Sequence, residues 1–107
     1  MEISKEKLWE IFNLLPDSLK EAVLSEDTAE AIWNICRICN IEESKIPQVS
    51  KLVGNVLMGL LPPNRLKDRL QEIEGINPEI AQKLDVYISH YVFDPVKEEL
   101  EEIYSED

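Results

Sequence analysis

The chain has 107 residues, of which 44% are hydrophobic and 31% charged, and 22 acidic side chains face 11 basic ones for a formal net charge of -11. That length holds one domain, since domains run to about 100–150 residues, and the apolar fraction is enough to bury a core, which excludes a disordered chain. So acidic a surface repels phosphate and anionic lipid, which argues against general nucleic-acid or membrane-surface binding.

Apolar residues recur at helical spacing in nearly every segment, and no segment of useful length alternates with period two. With three glycines and no Asn-Gly or Asp-Gly pair, hairpins have little to turn on. The expected fold is all-α: a compact single-domain bundle of six to seven helices over residues 1–107.

A first helix is expected from Ser4, its N-cap, to Leu15, with Leu8, Ile11, Phe12 and Leu15 on one face. Pro16 stops it and opens a short second helix carrying Leu19, Val23 and Leu24. Ser25 or Asp27 caps a third, with a stripe of Ala29, Ile32, Trp33, Cys36 and Cys39 that Ile35 and Ile38 widen. Ser44 is the expected N-cap of a fourth helix bearing Ile46, Val49, Leu52, Val53, Val56, Leu57 and Leu60. This helix is the most apolar and the expected centre. Gly54 and Gly59 cost it helix propensity, about 1 kcal/mol each, and close helix crossing is the expected compensation.

Pro62 and Pro63 end helix four and open a fifth with Leu66, Leu70 and Ile73, closed by Gly75. Asn77-Pro78 reads as N-cap and first residue of a sixth helix with Ile80, Ala81, Leu84, Ile88 and Tyr91 on its face. Asp94-Pro95 repeats that device, and either kinks helix six or starts a seventh helix with Val96, Leu100 and Ile103. Leu14-Leu15-Pro16 and Leu60-Leu61-Pro62 each precede a Leu-Lys pair and a longer helix. The two segments suggest a pair of related three-helix units sharing one core.

The sharpest chemical feature is Cys36-Arg37-Ile38-Cys39. A C-x-x-C can hold Zn²⁺ or act as a redox pair. Structural zinc wants four ligands, and there is no second C-x-x-C and one histidine, His90. A redox pair belongs at a helix N-terminus, whereas this one ends a helix on its apolar stripe. The expected role of both cysteines is core packing. His90 has no nucleophile beside it, and no phosphate loop, H-E-x-x-H or EF-hand spacing is present. No catalytic, cofactor-binding or metal residues are assigned, and a non-enzymatic protein is expected.

Most aromatic residues fall on apolar faces. Trp9 sits one residue off the stripe of helix one, and an exposed Trp is a good interface anchor. Charge is uneven. Residues 1–50 carry net -5, residues 51–92 net zero and residues 93–107 net -6. The last segment is therefore an acidic helix with a frayed tail, and its Glu98, Glu99, Glu101, Glu102 and Tyr104 join Trp9 as the candidate interaction surface. Absence of a leader or of about 20 consecutive apolar residues makes a cytoplasmic location the default expectation.

The run Val56-Leu57-Met58-Gly59-Leu60-Leu61-Pro62-Pro63, the helix around Glu79, Ile80, Ala81, Lys83 and Leu84, and Val92-Phe93-Asp94-Pro95-Val96 carry a resemblance. They resemble short, all-helical hypothetical proteins of uncultured candidate-phylum bacteria. The resemblance implies a stand-alone helical domain and transfers no functional residues.

The expected function is a protein–protein interaction module for an unknown, basic protein partner, with self-association through a seam on helix four or seven as one version. Competing readings are an acidic inhibitor that mimics DNA and blocks a basic groove, and a small metal or redox protein using Cys36 and Cys39. Nucleic-acid recognition through Arg65, Lys67 and Arg69 is weaker, because those residues lie in a net-neutral segment of an acidic chain.

Overall fold

Three of the other helices are laid directly against the fourth. The computed structural model describes residues 4–105. In them seven helices follow in order: α1 (Lys5–Asn13), α2 (Asp17–Leu24), α3 (Glu26–Ile38), α4 (Ile46–Leu57), α5 (Leu66–Gln71), α6 (Pro78–Ile88) and α7 (Lys97–Tyr104). Short 3₁₀ turns at Glu43–Lys45, Pro63–Arg65 and Asp94–Val96 lead into α4, α5 and α7, and a π-helical turn, Ser89–Phe93, follows α6. No strand occurs among the described residues. Asp94-Pro95 thus separates two helices. The expected frayed tail at Glu106 and Asp107 lies outside the described residues.

Helix α4 is central because its apolar residues cover more than one face. Ile46, Val49, Val53, Val56 and Leu57 are all buried, and α2, α3 and α5 pack against it. Helices α5 and α6 form a hairpin, α3 lies against α6, and α7 packs on α2. One contiguous core results, joining Leu19, Cys36, Leu66, Leu70, Leu84 and Ile88 to α4. The radius of gyration is 13.4 Å, close to the roughly 13 Å of a globular chain of about 100 residues.

The N-caps at Ser4, Ser25 and Asn77 form as their side chains dictate. Ser4 Oγ accepts from the Lys7 N–H at 3.2 Å, and Ser25 Oγ accepts from Asp27 at 3.1 Å and Thr28 at 3.4 Å. Asn77 Oδ1 accepts from the Ile80 N–H at 2.8 Å. Two expected caps do not form. Ser44 lies inside the 3₁₀ turn, so Lys45 occupies the α4 cap position without a side-chain bond. Asp94 takes helical dihedrals, φ -56° and ψ -41°, and its carboxylate lies 3.5 Å from His90 Nδ1 instead.

Helices α3 and α4 end in the same way. Asn40, at φ 59°, and Gly59, at φ 82°, each turn the chain into the left-handed region. The next N–H then reaches back five residues, Ile41 to the Cys36 carbonyl at 2.9 Å and Leu60 to the Asn55 carbonyl at 2.8 Å. Both are Schellman ends. Gly59 is therefore a stop placed beyond α4, two residues past Leu57, and what approaches it is the side chain of Ile103 rather than a crossing backbone. A β-carbon on Gly54 would meet nothing within 4 Å, so no helix crosses closely at that position either.

The two Leu-Leu-Pro segments share a local geometry: Pro16 sits at φ -56°, ψ 149° and Pro62 at φ -59°, ψ 140°. Their surroundings differ. Helix α1 has no buried residue, whereas its counterpart α4 is the buried centre.

Several residues counted on apolar faces point outward. Leu24 is 68% exposed, Ile38 65% and Tyr91 60%, and Trp33, at the flank of the buried stripe of Ile32, Ile35 and Cys36, is exposed too. A helix of 3.6 residues per turn cannot bury positions on all sides when partners cover only part of its circumference.

Candidate interaction surfaces

The acidic helix α7 is amphipathic in a strict sense. Leu100 is buried, Ile103 and Tyr104 are half-buried, and Glu98, Glu101 and Glu102 face out, with Glu99 half-buried. None of the ion pairs among the described residues involves this helix. Tyr104, grouped with the glutamates from the sequence, faces inward. Its hydroxyl lies 2.7 Å from the Val56 carbonyl and 2.6 Å from the Leu61 carbonyl, and accepts from the Leu61 N–H at 3.2 Å. Ile103 Cδ1 sits 3.5 Å from where a β-carbon of Gly59 would be. Burial pushes the Tyr104 phenol up to about 12, against the opposing effect of hydrogen bonds from the Leu61 and Gly59 backbone. Val96 and Leu100 are buried, and so are Ile46, Val49, Val53, Val56 and Leu57 of α4, which exposes Pro47, Gln48 and Lys51. Along the seams of helices four and seven, Leu52, Leu60 and Ile103 stay half-buried.

Trp9 is 61% exposed and meets Phe12 edge-on, with ring centroids 5.6 Å apart. The sequence offset that singled it out is a real geometric offset, since Phe12 packs against the core while Trp9 does not.

Further exposed apolar side chains escaped the sequence reading. Trp33 and Ile38 on α3, Val86 and Tyr87 on α6, and Tyr91 in the π-helical turn are all exposed. Helix α3 packs against both α6 and that turn, so these side chains lie on neighbouring elements. His90 meets Tyr91 edge-on at 4.8 Å. The signal was present as apolar residues in excess of what one helical stripe can hold, but choosing which ones emerge needs the neighbours.

Cys36 and Cys39 are reduced and buried. Burial, with the neighbouring Cys39 adding to it, pushes the Cys36 thiol up to about 11. Burial also raises Cys39, which Lys83 partly opposes. High thiol pKa values leave little thiolate, the form that attacks disulfides and binds metal. Among the described residues no group of three or more His, Cys, Asp and Glu is placed to hold a metal ion.

The basic trio differs in exposure and pairing. Arg65 is exposed in the 3₁₀ turn before α5, Lys67 is half-buried, and Arg69 lies 3.9 Å from Glu72. Burial raises the Asp85 carboxyl, with Lys67 acting in the opposite direction. A groove of about 230 Å³ runs between the α3–α4 and α5–α6 connections, lined by Asn40, Glu42, Lys45, Glu74 and Gly75 among others. It is smaller than the roughly 300 Å³ at which ligand pockets begin. No helix among the described residues is long and apolar enough to cross a membrane. The chain matches no protein-family model, no curated protein and no solved structure.

Proposed function

We propose that this chain is a non-enzymatic protein–protein interaction module with an apolar docking face on α3 and α6 and an acidic face on α7 that attracts a basic partner. One observation carries the reading: Trp33, Ile38, Val86, Tyr87 and Tyr91 are exposed on elements that pack against one another. Trp and Tyr dominate binding hot spots, and three of these five side chains, Trp33, Tyr87 and Tyr91, are of those types. The α7 carboxylates contribute mainly to encounter rate, because exposed charge steers association more than it holds the complex.

The test is affinity capture from the native cell with three full-length baits: wild type, W33S/Y91S and E98Q/E101Q/E102Q. A discrete partner held by wild type is expected to be lost from the apolar variant. The glutamine variant should bind it more slowly and with weaker salt dependence. Equal capture by all three baits would remove the reading.

The second reading, an acidic inhibitor that fills a basic groove, is supported by the exposed Glu98, Glu101 and Glu102, which make no ion pair among the described residues. In that case the captured partner would survive W33S/Y91S and be lost with the glutamine variant.

A further inference from the structure

The geometry points to α7 as a strap whose hold on the α4–α5 turn is set by ionic strength. Its attachments are few and lie on one side. Leu100 is buried, Ile103 lies over Gly59, and the Tyr104 hydroxyl is bonded to the backbone of Val56 and Leu61. Working against them are charges of one sign. Glu98 precedes Glu101 by three residues and Glu102 by four, the spacings at which side chains are neighbours on a helix and like charges repel. Glu101 and Glu102 also occupy the last turn, where the helix dipole disfavours negative charge and no basic residue offsets it.

The surroundings do not restore the balance. Lys97 makes no ion pair among the described residues. Helix α2, which packs on α7, brings Asp17 and Glu21 against Lys20, and the turn before α7 adds Asp94. Repulsion among exposed charges reaches about 30 Å at about 0.01 M salt and only about 3 Å at about 1 M. The strap is therefore held when salt or a cationic surface screens its glutamates. It loosens at low ionic strength, opening as a local unit while the core built on α4 stays folded. This property belongs to the chain alone, so it stands or falls without any partner.

Hydrogen exchange read by mass spectrometry on the full chain tests it, in sodium chloride at about 0.01 M and about 1 M. Amides of 97–105 should exchange roughly tenfold more slowly at the higher salt, the combined effect of several like-charge pairs and the dipole, with a much smaller change in α4 and α6. E101Q/E102Q, which leaves Glu98 and Glu99 in the first turn where the helix dipole favours them, should protect α7 at low salt and abolish the salt response. Y104F should leave α7 fast-exchanging at both concentrations. Uniform slowing of all helices together, or an unchanged salt response in the glutamine variant, would overturn the proposal.

Discussion

The Tyr104 hydroxyl engages both backbone groups of Leu61, 43 residues earlier, accepting from its N–H at 3.2 Å and lying 2.6 Å from its carbonyl. The same oxygen is 2.7 Å from the Val56 carbonyl in the last turn of α4. The Val56 carbonyl already accepts the Gly59 N–H, so the hydroxyl, with one proton to donate, serves chiefly the Leu61 backbone where α4 has ended and α5 has not begun, the usual deficit at a helix terminus.

Removing that hydroxyl leaves the Leu61 N–H without its partner. Y104F is expected to cost about 1–3 kcal/mol, measured by denaturant unfolding. The phenol also predicts alkaline sensitivity. A free tyrosine loses its proton near 10, while Tyr104 holds it to about 12. The folded state binds the proton more tightly, so stability is unaffected below about pH 10 and falls as pH rises from there towards 12. Tyrosinate absorbance should show one of the three tyrosines titrating late, and that late step should vanish in Y104F.

The glycines attributed to helix four should respond in opposite directions. Gly54 lies inside α4 with open space around it, so G54A should stabilise by about 0.5–1 kcal/mol. Gly59 holds φ +82°, and a side chain there strains the backbone by about 1–2 kcal/mol. Thermal melts of the two variants should shift up and down respectively.

The thiols predict a second pH effect. Burial raises Cys36 from 9.0 to about 11, so the folded chain keeps a proton that the unfolded chain loses. Stability is constant below about pH 9 and declines between 9 and 11. At neutral pH both cysteines should react with a thiol reagent only as fast as the protein opens. Rapid labelling of the native protein would contradict the buried arrangement.

Ser18 Oγ is buried without a hydrogen-bond partner among the described residues. An unsatisfied hydroxyl of this kind costs about 1–3 kcal/mol, and alanine is the better helix former. S18A should therefore raise the unfolding midpoint, a direction opposite to that of most substitutions.

The amino-acid sequence determined what is local. Helical periodicity, the caps at Ser4, Ser25 and Asn77, and the apolar density of α4 act over a few residues, and each is realised where the sequence places it. The C-terminal concentration of acid was legible in the same way. Tertiary structure decided everything that depends on a distant partner. Gly59 could be told from an interior glycine only by where α4 stops. Tyr104 turned from a surface residue into a latch because Val56 and Leu61 lie within reach of its hydroxyl. Trp33, Ile38 and Tyr91 remained outside because α3 and α6 are covered on one side only. Periodicity says which residues share a face, but burial needs a second surface, and the sequence pattern of one helix holds no record of where the others come to rest.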